Sequence, residues 1–112
     1  MIDNPASRTI DRDPVLRRFK TAVATTYGDR LDRVLLFGSR ARGDARDDSD
    51  YDLAVFLKDT PECEKDRVLL ADIGFDILEQ DGNVINAMPF SISSLAERTP
   101  LMHEIRRDGI EI

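Results

Sequence analysis

The chain has no tryptophan, one cysteine (Cys63) and one histidine (His103) in 112 residues. A single cysteine excludes an internal disulfide and fits a reducing, cytoplasmic setting. One His with one Cys excludes the usual zinc ligand sets. Long apolar runs are missing. The longest, Leu53-Ala54-Val55-Phe56-Leu57, falls far short of the ~20 residues that cross a bilayer, so no membrane partner is expected. The first ten residues hold Asp3, Asn4 and Pro5 with no apolar stretch, so no signal peptide is expected either. Basic charge is scarce as well: 16 Lys and Arg stand against 22 Asp and Glu, a net charge of −6. That balance argues against direct nucleic-acid binding, which gains its affinity from a basic face. Repeats and low-complexity runs are absent.

What is present suits one soluble domain. Hydrophobic residues make up 41% and charged residues 34%, and the length matches a single core. Residues 1–12 are polar and aperiodic and are expected to form a flexible N-terminal arm; residues 13–112 are expected to form the domain. Asp13-Pro14 is a helix start, a side-chain cap followed by a ring with φ already set. Leu16, Phe19, Val23 and Tyr27 follow at helical spacing until Gly28. Val34 to Phe37 and Asp50 to Leu57 have strand character. A helix is expected from Thr60-Pro61, capped by Thr60, with Leu69, Ile73 and Ile77 on its apolar face. A strand over Ile73 to Leu78 is the alternative, since Ile73, Phe75 and Ile77 also alternate. Val84 to Phe90 is a strand, and Pro89 suggests an edge. Ser94 and Glu97 match a capping box for a short helix. Thr99-Pro100 opens a last helix that Gly109 stops, and Ile110 to Ile112 suits an edge strand. The order predicts an α/β (α+β) fold, a small mixed sheet with helices packed on one face.

The chemistry-bearing stretch is Phe37-Gly38-Ser39-Arg40-Ala41-Arg42-Gly43-Asp44, followed by Ser49-Asp50-Tyr51-Asp52. Asp50 and Asp52 are two apart, so on a strand both carboxylates leave one face. Such a pair repels itself unless a cation or proton intervenes. Mg²⁺ is the natural cation, since it takes one or two carboxylates and fills its shell with water and phosphate oxygens. Gly38 lets a ligand approach the backbone, and Ser39 adds a hydroxyl donor. Arg40 and Arg42 carry charge suited to phosphate. Tyr51, between the acids, should face the helices. Asp44, Asp47 and Asp48 suit a solvated loop, His103 and Cys63 suit structural roles, and Arg106 and Arg107 complement a helix C-terminus.

Gly38-Ser39, ten residues, then Asp50-Tyr51-Asp52, with Arg40-Ala41-Arg42-Gly43 and Ser49 between, resembles the DNA polymerase beta-like nucleotidyltransferases. More narrowly it resembles the minimal (MNT-type) members. Residues 99–109 are similar to the family's closing helix and glycine. The resemblance implies a Mg²⁺-dependent transfer of a nucleotide from ATP or another nucleoside triphosphate to a hydroxyl. Asp50 and Asp52 would bind the metal, while Gly38, Ser39, Arg40, Arg42 and Ser49 would hold the nucleotide. It also implies a HEPN-domain protein as partner, with this chain as the antitoxin of a toxin–antitoxin pair that modifies the toxin, typically on tyrosine. One departure stands out. The family places a third carboxylate on the strand after the middle helix, where this chain has Asn86, which cannot act as a base. Asp76 could supply the carboxylate only if Ile73 to Leu78 were a strand. Asn86 therefore raises a second reading, an antitoxin that neutralises its partner by contact alone. An antibiotic-modifying transferase fits less well, because such enzymes usually add a helical domain.

Overall fold

The computed structural model describes residues 12–112, so the expected N-terminal arm lies almost wholly outside the described residues. Helix α1 (Pro14–Tyr27) starts where the sequence predicts: the Asp13 carboxylate accepts the Val15 N–H at 2.8 Å. Its Leu16, Phe19, Val23 and Tyr27 are all buried. Strand β1 (Leu31–Phe37) leads into a one-turn helix α2 (Ser39–Arg42), and a loop returns the chain to β2 (Tyr51–Leu57). Helix α3 (Cys63–Asp81), strand β3 (Ile85–Ser91), a 3₁₀ segment (Ile92–Ala96), helix α4 (Pro100–Asp108) and strand β4 (Ile110–Glu111) complete the order.

The sheet runs β3-β2-β1-β4. Strands β1 and β2 are antiparallel, β2 and β3 parallel, and β4 pairs antiparallel with β1. The expected mixed sheet is therefore present, and β3 with its Pro89 lies at an edge. Residues Tyr51, Leu53, Val55 and Leu57 of β2 pack against α1 and α3. Ala54 and Phe56 point the other way and meet Met102 and Ile105 of α4. The two long helices thus share one face, as the sequence order implies. The short C-terminal helix crosses to the other, because Leu35 and Phe37 make the second face of β1 apolar too.

One alternative falls and two local expectations are corrected. Residues 73–78 are helical, so the strand alternative falls and Asp76 sits exposed on α3, away from the sheet. Thr60 does not cap α3. The helix begins at Cys63, and the buried Asp66 carboxylate accepts the Glu62 N–H at 2.8 Å instead. The Ser94–Glu97 capping box does not form; Ser91 caps the 3₁₀ segment through the Ser93 N–H. Thr99 does cap α4, accepting from the Met102 N–H at 3.1 Å.

Candidate active site

The end of β1 and the starts of β2 and β3 meet at one end of the sheet. Gly38 leaves β1 with φ 76° and ψ −159°, a conformation essentially reserved for glycine. Its carbonyl accepts the Ala41 and Arg42 N–H groups, both at 3.1 Å, which sets the turn of α2. The glycine lies directly against Asp52: a Cβ added there would run into the Asp52 carboxylate. A tight Gly-Ser corner and a carboxylate strand are therefore neighbours in space, as their spacing in sequence predicts.

Asp50 precedes β2 by one residue, and Asp52 lies within it. Both carboxylates face Asn86, which is in register with Asp52 across the parallel pair. The Asn86 amide donates to Asp50 at 3.0 Å and, more weakly, to Asp52 at 3.5 Å. Its N–H₂ group thus bridges the two acids. Burial pushes the Asp52 pKa up, and the charges of Asp50 and Glu104 raise it further; the Asn86 hydrogen bond and Arg42 pull it back. Two oxygen-bearing side chains held close, one disfavoured as an anion, fit a hard divalent ion such as Mg²⁺. A rotation of the Asn86 amide would offer its carbonyl as a third oxygen.

The other sequence-selected residues divide. Ser39 is half-buried at the corner. Arg42 lies beside the acids but pairs with Asp44 at 3.4 Å, Asp108 at 3.6 Å and Glu104 at 3.8 Å. Arg40 turns into the loop. It donates to the Ser49 carbonyl at 2.9 and 2.7 Å and to the Asp47 carbonyl at 3.1 Å, and it lies 3.9 Å over the Tyr51 ring. The Ser49 hydroxyl accepts the Arg46 N–H at 2.8 Å. In this structure Arg40 and Ser49 brace the approach to Asp50.

Two contributors escape a sequence reading. Asp13, besides capping α1, accepts the Tyr51 hydroxyl at 2.6 Å, tying that helix to the residue between the acids. Burial and this bond hold the Tyr51 pKa well above its usual value. Removing the hydroxyl in Tyr51→Phe is expected to cost about 1 kcal/mol, read as a lowered melting temperature. Glu104 adds negative charge near Asp52 from α4, over fifty positions away in the chain, and no local pattern marks it.

Asn86→Asp has an expected outcome as well. A third carboxylate repels Asp50 and Asp52 in the metal-free chain and strengthens cation binding. Melting in a chelator should fall, the stabilisation by added Mg²⁺ should grow, and the nucleotide transfer that the sequence resemblance implies should rise about tenfold, a barrier change of ~1.4 kcal/mol. An unchanged Mg²⁺ response would mean that position 86 does not face the ion.

A Gly-Ser corner packed on paired acids at one end of a small mixed sheet defines a nucleotidyltransferase domain. The chain belongs to the polymerase beta nucleotidyltransferase family, whose model matches residues 21–112. It is 31% identical over 98 residues to a candidate protein adenylyltransferase of Methanocaldococcus jannaschii, covering 88% of this chain and 95% of that one. Among solved structures, it superposes on a chain of a toxin–antitoxin complex with AMP-PNP at a TM-score of 0.62. That match has 17% identity and covers 85% of this chain and 69% of the other. A chain of the Shewanella oneidensis complex of a tri-AMPylated HEPN toxin with its MNT antitoxin matches at a TM-score of 0.53, with 14% identity over 87% and 70% of the two chains. At these identities the structural matches establish the fold. No described helix is long and apolar enough to cross a membrane.

Proposed function

We propose that this chain transfers AMP from ATP to a hydroxyl of a HEPN-domain partner, as the antitoxin of a toxin–antitoxin pair. The observation that carries the reading is the Asp50–Asn86–Asp52 cluster beside Gly38. The adenylyltransferase relative and the structural likeness to toxin–antitoxin nucleotidyltransferases support it.

Asp50 and Asp52 would hold Mg²⁺, with the Asn86 carbonyl as a neutral third oxygen. The bound ion supplies charge neutralisation on the triphosphate. Gly38 and Ser39 bring backbone and hydroxyl donors to the phosphates. Arg42, once released from the acids of α4, adds a guanidinium. Arg40, Tyr51, Ser49 and Asp13 keep the loop and the start of β2 in place. The acceptor hydroxyl oxygen attacks the α-phosphorus in line, forming a new P–O bond. The bond from that phosphorus to the bridging oxygen breaks, and pyrophosphate leaves. Asn86 cannot take the hydroxyl proton. With Asp50 and Asp52 committed to the ion, the hydroxyl proton passes to solvent water.

A second reading rests on Asn86 itself. A site without a third charged ligand can bind nucleotide and neutralise the partner by contact alone. Incubation with α-labelled ATP, Mg²⁺ and the protein encoded beside this chain separates the two. Label on a partner hydroxyl, absent when a chelator replaces Mg²⁺, is the expected result. A stable complex that never takes up label would establish the contact reading instead.

A further inference from the structure

All four exposed large hydrophobic residues among the described ones lie on α3 or three residues beyond its end: Val68, Phe75, Leu78 and Val84. Val68 is 59% exposed and Phe75 57%. With the exposed Ala71, the helical three form a stripe spaced three, four and three residues apart, the pattern of a coiled-coil seam. The opposite side of α3 (Leu70, Ile73 and Ile77) is already buried in this chain's own core. A helix apolar on two sides is suited to being covered on both.

The charges along the stripe say what covers it. Lys65, Asp72 and Glu79 recur at seven-residue intervals along one edge, and all are exposed. None of them makes an ion pair with another described residue. In a parallel pair of α3 helices this edge would face the opposite edge of the copy (Arg67, Gly74 and Asp81), where Lys65 and Glu79 never meet and Arg67 with Asp72 is the sole attractive pairing. In an antiparallel pair Lys65 meets Glu79 of the other copy twice, and only Asp72 meets its like. The apolar positions match in the same arrangement, with Val68 opposite Leu78 and Ala71 opposite Phe75. The edge is thus largely its own complement across a two-fold axis, as an isologous contact requires.

We propose that the α3 stripe is a self-association surface, where a second copy of this chain packs its α3 antiparallel to the first. Asp52 and Gly38 belong to the other side of the sheet from α3, so both candidate sites stay open in the pair. Standard stable interfaces cover about 800 Å² per partner, and a three-turn seam is small against that. The pairing is therefore reversible and depends on concentration.

Sedimentation equilibrium of the full chain tests it. The wild-type mass should rise from 12.7 kDa toward twice that value as concentration climbs through the micromolar range. Phe75→Glu should remain a monomer with an unchanged circular dichroism spectrum. Charge swaps keep the test independent of apolar loss. Lys65→Glu makes the edge wholly acidic; the double variant Asp72→Lys and Glu79→Lys makes it wholly basic. Each alone should dimerise at least tenfold more weakly than wild type, and an equimolar mixture should pair at least as tightly. A wild-type chain that stays monomeric throughout overturns the proposal, as does a mixture that fails to associate. Burial of the stripe only when the neighbouring protein is added overturns it too. Since the readout is mass, the result is independent of whether the chain transfers nucleotide.

Discussion

Asp52→Asn is expected to lower nucleotide transfer by about a thousandfold while making the metal-free chain more heat-stable. The loss follows from charge. In the proposed mechanism Asp52 would supply half of the anionic pair that draws a divalent ion to the phosphates, and electrostatic stabilisation of this kind is worth several kcal/mol in a transition state. The gain has the opposite origin. Burial and the charges of Asp50 and Glu104 raise the Asp52 pKa in the folded chain, so ionising it there is costlier than in the unfolded one. A carboxylate with a raised folded pKa favours the fold fully only below its unfolded pKa, and that contribution is lost as pH rises through the folded value. At neutral pH, without metal, Asp52 therefore works against folding. Asparagine keeps the shape and removes the charge, and a gain of about 1 kcal/mol is in the range of such surface-charge changes.

Two measurements check both halves. Transfer of labelled nucleotide gives the first. Melting in a chelator against pH gives the second: the advantage of Asp52→Asn should shrink as pH falls through the folded pKa of Asp52, where the wild-type acid becomes neutral. Saturating Mg²⁺ should also shrink it, by stabilising the wild type alone. A variant less stable than wild type at neutral pH in chelator would mean that the carboxylate is satisfied without a cation.

The trade between stability and function at this point marks where the sequence was legible. Local chemistry could be read directly. Asp13-Pro14 starts α1, Thr99-Pro100 starts α4, and the Gly38-Ser39 to Asp50-x-Asp52 spacing brings the corner and acids together, because each depends on residues close in the chain. What escaped depends on partners brought from afar. Thr60 has the right chemistry for a cap, but Asp66 reaches back to the Glu62 N–H while also taking Arg30 at 3.3 Å. Ile73 to Leu78 alternates like a strand because α3 is apolar on two sides, one in the core and one exposed. Arg40 looks like a phosphate ligand in one dimension. In three, it also stacks on the Tyr51 ring and bonds two loop carbonyls, contacts that no local pattern shows. Asn86 could be placed on β3 from the sequence, but its two hydrogen bonds appear only once β3 lies parallel to β2.

Gly38→Ala carries the second large effect, and Gly43→Ala is its control. Both glycines have positive φ, 76° and 85°. Their surroundings differ: a Cβ at Gly43 meets nothing within 4 Å, whereas a Cβ at Gly38 meets the Asp52 carboxylate. At Gly43 the sole penalty is a left-handed backbone, about 1 kcal/mol of stability, with transfer preserved. At Gly38 the backbone strain of about 1–3 kcal/mol adds to a steric demand that something move. Either the corner opens or Asp52 swings off its place beside Asn86, and a displacement near 1 Å between reacting groups can cost about a hundredfold in rate. Gly38→Ala is therefore expected to lose about a hundredfold in transfer and to weaken Mg²⁺-dependent stabilisation, both measured beside Gly43→Ala. If the two variants kept equal activity, the corner would be looser than its contact with Asp52 implies, and the acids would set the geometry without it.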